Sequence, residues 1–586
     1  MKKIFIILII ICSALIISYS LYISADPLIN WPVNLPKSLS ATLGEIRGFS
    51  LHQGIDIRTN GRTGYPVFAA GAGKISRLIS KENGYGNAIF MGHGSNIETV
   101  YGHLDSFEEG KYHLNNMARI FKVLYNKNYT DFRFINSNLY YKKDENIAFT
   151  GESGAGFPHL HFEIRKNDKC VNPLDYIHIK DTDPPVMDSL YICSEKDNTT
   201  ISEKKIRVKK RWGSYITDSN LIETEGEKIF FKISCFDKVG AYNHVAIYRI
   251  SVYFNKEKIY ELAFDGLKNS ELQYGSLTYD ISKSTIKDGV FYVYTLCRKE
   301  ANNYTGISSS GDGYLKFSEK EKDIKHITIL VSDFAGNEEN LQFKILQKKS
   351  DLPPDKNFTL INKKKNNSIW DKDKNINIYI PEDATCSDVL AGLEDAVSSE
   401  ITDALCRDFA VLKPDLFSAF SVFPHDVIYK KPITVTVKKP SGIKDEDARH
   451  VQIFQFFEGR KPVALKTKYS SGKFKAETYT NGFFALILDK TPPKISLPPT
   501  FELCEDREFY RKLRLNTRDN ISRINKDSII CIIDGEIYPS TFDDDRKWIE
   551  VKLPRNAVSR GVHHIFAKAR DEADNEAVFR GLLTFK

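Results

Sequence analysis

At 586 residues the chain is too long for one ordinary domain, and its length points to about three to five, each with its own core. Apolar residues at 41% suffice for globular folding, while 83 basic and 76 acidic residues, a formal charge of +7, lie scattered along the chain. Without a basic stripe, nucleic acid is not a favoured partner, and the mild positive balance reads as the average of many solvated surfaces.

Lys2 and Lys3 precede an apolar run from Ile4 to Ile17 broken only by Cys12, Ser13 and Ala14, the charge and length pattern of a secretory signal. Residues 1–25 are therefore expected to be a signal peptide. An uncleaved N-terminal anchor is the rival reading, because a weaker apolar stretch continues to Ile23 and about 20 residues suffice to cross a bilayer. Either way the remainder is expected outside the cytoplasm, in the periplasm or cell envelope, touching membrane only through this segment. The bulky Ile11 argues against lipidation at Cys12.

Over residues 26–180, short apolar runs at Val67 to Ala70, Ala88 to Met91, Thr99 to Leu104, Ile147 to Thr150 and Leu160 to Ile164 alternate with glycine-bearing turns and predict a small sheet domain. Leu114, Met117, Phe121 and Leu124 instead follow helical spacing and open an insertion at about residues 110–142 that is rich in tyrosine and phenylalanine.

Proline pairs at 184–185, 353–354 and 492–493 read as linkers, since proline fixes φ and cannot extend a sheet. They divide the remainder into 181–350, 351–489 and 490–586. Stretches such as Ile229 to Ser234, Val245 to Phe254 and Ile433 to Val437 are rich in β-branched and aromatic residues, and long helical periodicity is nearly absent. The expected fold class is mainly β: an antiparallel-sheet domain followed by about three β-sandwich-like domains. The phrases Asp333-Phe-Ala-Gly-Asn337 and Asp571-Glu-Ala-Asp-Asn575 suggest a repeated domain type. The proline-pair start and this closing phrase resemble immunoglobulin-like modules of bacterial surface proteins, which implies such a fold for 181–350 and 490–586. The segment 351–489 is β-rich but lacks the closing phrase. None of the nine cysteines has Cys-x-x-Cys spacing, so thiolate metal binding is not expected. Cys386 with Cys406, or Cys504 with Cys531, could pair in an oxidising compartment, and buried free thiols are the alternative. The acidic runs at Asp371 to Asp373 and Asp543 to Asp545 lack the rest of a calcium loop and read as solvated turns.

Six of the thirteen histidines fall between residues 52 and 161, in three main phrases. His52-Gln-Gly-Ile-Asp56 offers an imidazole and a carboxylate in one short loop. Tyr101-Gly-His103-Leu104 follows. In His159-Leu-His161-Phe-Glu-Ile-Arg165 the apolar alternation predicts a strand with His159 and His161 on one face. Two histidines and one aspartate meet the ligand count of a catalytic zinc, which keeps a fourth position for water. Remaining histidines could move protons or stabilise an oxyanion.

In this order the phrases resemble the lysostaphin-like (LytM-type) zinc metallopeptidases, peptidoglycan endopeptidases whose small sheet domain is of the duplicated-hybrid-motif type. The resemblance covers about residues 40 to 178, including Gly84-Tyr-Gly-Asn87 and Asn172-Pro-Leu174. It implies His52, Asp56 and His161 as ligands of one Zn2+ and His103 and His159 as the catalytic pair. Tyr85, Asn87 and Tyr101, which stand in these phrases, are expected to contact substrate. The implied activity is hydrolysis of peptidoglycan peptides; a further reading, taken from the large remainder at 181–586 and not from the resemblance, is that the C-terminal β-modules bind other envelope proteins and target the enzyme. Some relatives have lost ligands and activate other wall hydrolases, so a non-catalytic wall-binding or regulatory protein is the alternative; here all five positions are filled. His93 and His113 read as structural. No His-Glu-x-x-His phrase places Glu152 or Glu163 as a general base, although Glu163 shares the strand face of His161 and could orient its ring. The insertion, emerging between catalytic phrases, is expected to border the groove.

Overall fold

The computed structural model describes residues 29–585 apart from 82, 125–128, 155, 197–198, 212, 220, 227, 285–289, 301, 309, 317–323, 348–357, 396–414, 458–461, 498–503, 506–509, 520, 544–545 and 555–560. The expected signal or anchor segment, Cys12, the proline pair at 353–354 and Cys406 lie outside the described residues. Strands dominate, and among the described residues no helix is long and apolar enough to cross a membrane.

The first sheet is built from β1 (Leu39–Ala41), β2 (Ile55–Arg58), β3 (Gly73–Ser80), β4 (Asn87–Gly94), β5 (Ile97–Phe107), β6 (Thr130–Arg133), β7 (Tyr140–Tyr141), β8 (Asn146–Thr150), β9 (His159–Lys166) and β10 (Lys169–Val171), with helix α1 (Leu114–Leu124) between β5 and β6. The strand order is β1-β2-β9-β5-β4-β3-β7, with antiparallel neighbours throughout. Alternation along β9 explains its two faces. Leu160, Phe162 and Ile164 are fully buried with Ile55, Ile57 and Leu78 in the core, which leaves His159, His161, Glu163 and Arg165 on the opposite face.

The insertion forms the expected helix at 114–124, but it does not border β9. Its strands β6 and β7 both pair with β3, three strand spacings from β9 or about 14 Å. Edge pairing explains the placement: β3 offers free backbone groups, and Phe121, Phe132 and Phe134 pack together over that side, with the first two rings stacked 4.2 Å apart.

Several β-domains follow. Residues 186–347 form an eleven-stranded system joined to the first sheet both by backbone pairing, Gly266–Lys268 with β10, and by Val239, Val245 and Phe334, which enter the first core. Residues 359–488 form sheets of six and five strands whose inner faces share one core, Phe420 and Phe484 from the first meeting Ile378 and Val435 from the second. Residues 494–585 repeat the arrangement with five and four strands around Leu513, Ile533, Ile549 and Ala567. Cys386 and Cys531 carry free thiols, so neither pairing raised for them forms; the Cys531 side chain is part of the last core.

Candidate metal centre

Register makes His161 the middle of the site: on β2 it faces Asp56, and on β5 it faces Gly102. Glycine suits that position, because a Cβ there would press on the His161 side chain at 3.3 Å and the Tyr85 ring at 3.4 Å. His52 arrives from the loop just before β2. The three donor atoms form a nearly equilateral triangle. His52 Nε2 lies 2.9 Å from His161 Nδ1 and 3.1 Å from Asp56 Oδ1, and the third side, His161 Nδ1 to Asp56 Oδ1, is 3.0 Å. All three residues are buried.

The far side of each ring fixes what the near side presents. His52 Nδ1 is 2.9 Å from the Thr42 carbonyl oxygen, and His161 Nε2 is 2.9 Å from Glu163 Oε1, both acceptors. With those nitrogens donating, His52 Nε2 and His161 Nδ1 turn toward each other and toward a carboxylate oxygen; either a proton on His161, whose imidazole burial would lower but Asp56 and Glu163 push up to about 9, or a cation among the three satisfies that arrangement. Zinc at about 2.0–2.2 Å from tetrahedral N and O donors requires donor separations of roughly 3.3 Å. The triangle is within a few tenths of an ångström of that, so these residues fit a four-coordinate divalent ion with one position left to solvent.

The donors are themselves held. Arg47 Nη2 donates to Asp56 Oδ2 at 2.9 Å, leaving Oδ1 to the imidazoles, and Arg47 is braced by the buried Glu45 at 2.8 Å. Burial alone would raise the Asp56 carboxyl, but His52, His159 and His161 hold it well below the usual carboxylate range. Glu163 is fully buried and receives the Tyr85 hydroxyl at 2.6 Å and Arg165 Nε at 2.7 Å besides His161. Burial would raise its carboxyl too, yet His161, Arg165 and Tyr85 outweigh that and hold it at about 2. Glu163→Gln removes the charge that polarises the ligating ring and is expected to weaken metal binding about 10- to 100-fold, read by chelator competition, with the fold retained. Unchanged affinity would show that the contact is only packing.

His103 and His159 lie beside the triangle. Regular alternation would send His103 to the core face with Tyr101. Its left-handed φ of 58° turns the ring the other way, to 4.7 Å from the His159 ring and 5.6 Å from that of His161. His103 Nδ1 lies 2.8 Å from the Ser153 carbonyl and His159 Nδ1 2.7 Å from the Phe157 carbonyl, so each keeps Nε2 free as a base. His159 Nε2 is 3.5 Å from Asp56 Oδ1. Burial, reinforced by His161 and His159, pushes the His103 imidazole down to about 3; burial also lowers His159, and both rings are neutral near pH 7.

The other residues singled out in the sequence divide. Tyr85 stands 5.7 Å from the His161 ring and positions Glu163. Asn87 spends its side-chain amide on the Leu104 and Asp105 carbonyls at 3.2 Å each. Tyr101 is fully buried with its hydroxyl on Ala70 N and Thr99 Oγ1, so it belongs to the core and not to a substrate wall; register across from Phe162 puts it there. His93 bonds Ala72 O and Thr99 Oγ1, a structural role, and His113 is exposed beside Glu109. Arg47 was not anticipated, and no motif spacing marks it. Glu152, which no phrase places as a general base, is gripped by Arg546 and Arg514 of the last β-segment, and the Arg546 guanidinium lies 5.6 Å from the Phe157 ring centre. The loop that anchors His159 is thus held from the far end of the chain.

Residues 50–114 match the profile of Peptidase family M23. The chain is 29% identical over 126 residues to the uncharacterized lipoprotein YgeR of Escherichia coli strain K12, covering 22% of this chain and 39% of that one. It is 31% identical over 125 residues to the DD-carboxypeptidase/endopeptidase Mpg of Neisseria meningitidis serogroup B, covering 21% of this chain and 22% of the relative. With the murein hydrolase activator NlpD of Escherichia coli strain K12 it shares 25% identity over 154 residues, 26% of this chain and 33% of the relative. In each case the chain spans well under two thirds of the relative's length.

Proposed function

The chain carries a peptidase family M23 domain, and from that premise we propose that it is an extracytoplasmic zinc endopeptidase hydrolysing peptide bonds in peptidoglycan. The observation that carries this reading is the convergence of His52, Asp56 and His161 within about 3 Å of one another, next to two imidazoles that are neutral and anchored through Nδ1.

In this reading His52 Nε2, His161 Nδ1 and Asp56 Oδ1 hold one zinc ion. What zinc supplies when bound is Lewis acidity toward water and toward a carbonyl oxygen. One of His159 and His103 would take up the proton of an attacking water at Nε2, and once protonated it would hydrogen-bond the developing oxyanion or pass that proton to the leaving amine. Glu163 and Arg47 keep the ligands aimed, and so remove the need to reorganise during the reaction. Export through the N-terminal segment places the domain at its polymer, and the β-domains from 181 onward are the surfaces for other envelope proteins.

A second reading, regulation of another wall hydrolase without turnover, draws on the relative whose name is murein hydrolase activator. The filled set of five histidine and aspartate positions speaks for turnover. Cross-linked muropeptides incubated with the zinc-loaded chain should be split, the reaction should stop with chelator and resume with zinc, and His103→Ala should slow it about 10²- to 10⁴-fold while zinc stays bound. No products from the zinc-loaded chain would sink the endopeptidase reading and favour the regulator.

A further inference from the structure

Two further clusters share no residue with the His52, Asp56 and His161 centre, and they match each other. Asp181, Asp237 and Asp333 bring carboxylate oxygens within 4.8 Å of one another, and so do Asp489, Asp519 and Asp571. Their places in the chain correspond. Asp181 and Asp489 each stand three residues before a proline pair. Asp237 directly follows the strand Lys228–Phe236, and Asp519 directly follows Tyr510–Arg518. Asp333 and Asp571 each open the Asp-x-Ala-x-Asn phrase.

The hydrogen bonds correspond as well. Asn337 donates from its backbone to Asp333 Oδ1 at 2.8 Å and from its amide to Asp333 Oδ2 at 2.7 Å and the Asp181 carbonyl at 3.4 Å. Asn575 repeats all three, to Asp571 Oδ1 and Oδ2 and to the Asp489 carbonyl, each at 2.9 Å. The two asparagines therefore organise the same cradle in two different domains.

One carboxylate oxygen in each cradle has nothing to bond. Asp237 Oδ1 and Asp519 Oδ2 are buried without a hydrogen-bond partner among the described residues, and Asp237 as a whole is 3% exposed. Buried acceptors are rarely left so. The charged neighbours acting most on Asp237 are Asp333, Asp181 and Asp183, and those on Asp519 are Asp489 and Asp571, all carboxylates. Burial first, and this crowding second, push Asp237 up to about 8 and Asp519 to about 7. Three carboxylates held this closely, two of each triad buried and one part-buried, stay charged together most readily around a cation.

We propose that each triad binds one calcium ion, which clamps the proline-bearing linker to the β-domain that follows it. The donors are oxygens only, which selects a hard cation over zinc. They come from three separate segments and include a buried carboxylate oxygen, which suits the large and flexible shell of calcium better than magnesium, which keeps several waters in a tight octahedron. The position gives the ion a task. Val239 and Phe334, next to two of the first donors, pack into the core of the metallopeptidase sheet. At the second cradle, the turn after Asp571 meets the preceding domain through Gln452, which donates to the Glu572 carbonyl at 2.8 Å, and His450, 2.9 Å from the Ala573 carbonyl. Calcium would thus stiffen both junctions, fixing the catalytic domain on its neighbour and the last domain on the one before it. Nothing in this rests on the histidine centre.

Calorimetric titration of the zinc-loaded, full-length exported chain with calcium chloride tests the idea. We expect two calcium ions per chain, one in Asp237→Asn, one in Asp519→Asn and none in the double variant, with the thermal transition of the wild type moving up on calcium addition and less on magnesium. A flat wild-type titration would overturn the proposal whatever the variants do. So would two ions still bound by the double variant, or tighter binding of magnesium than of calcium.

Discussion

His161→Ala should reduce muropeptide turnover by about 10³-fold or more and, unlike His103→Ala, lose stoichiometric zinc. A metal's contribution to charge stabilisation in the transition state is several kcal/mol, and about 4 kcal/mol corresponds to 10³-fold. Of the three donors in the proposed centre His161 has most to lose, because register sets it between Asp56 and Gly102 and its far nitrogen carries the contact to Glu163. The fold should survive, since Glu163 keeps Arg165 and Tyr85 as partners after the ring is gone. His93→Ala is the matched control: that ring bonds Ala72 and Thr99, away from the donor triangle, and turnover should stay within a few-fold of wild type. Equal loss in both variants would mean that histidine removal damages the domain in general.

The second large effect concerns stability. Lys232 is 1% exposed, yet its ammonium lies 2.7 Å from Asp280 Oδ2, 3.1 Å from Glu203 Oε2 and 3.2 Å from Asp426 Oδ2, so it joins the second segment to the third. Burial works against its charge, but Asp280 and Asp426 outweigh that and hold its pKa well above the ordinary lysine value. Lys232→Ala strands two neighbouring carboxylates and is expected to destabilise that junction by about 3–5 kcal/mol, seen as an earlier denaturant transition. Adding Asp280→Asn and Asp426→Asn should recover much of the loss, because uncompensated charge and not missing volume is the cause. A Lys232→Ala chain that unfolds at the wild-type denaturant concentration would show that the network contributes little.

Much of the centre was legible because it depends on short-range periodicity. The two-residue alternation in β9 places His159, His161, Glu163 and Arg165 on one face, and the structure puts them there. Periodicity also gave the helix at 114–124. What failed depended on long-range pairing. The face of Tyr101 follows from its register against Phe162, and the site of the insertion follows from which edge strand was free. His103 reaches the centre only through a left-handed backbone turn that reverses the alternation, which no pattern of side chains encodes. Arg47 sits on Asp56 because of a short hairpin, Ile46–Arg47 with Ser50–Leu51. The aspartate triads draw on three segments at unequal spacings, so only the repeated Asp-x-Ala-x-Asn phrase was visible beforehand.

In the proposed function His52, Asp56 and His161 share one metal ion. X-ray absorption at the zinc edge of the purified chain measures it directly. One zinc per chain is expected, bound by two imidazole nitrogens, one carboxylate oxygen and one further oxygen at about 2.0–2.2 Å. A folded chain that takes up no stoichiometric zinc, or binds it through sulfur or through a different number of imidazoles, would contradict it.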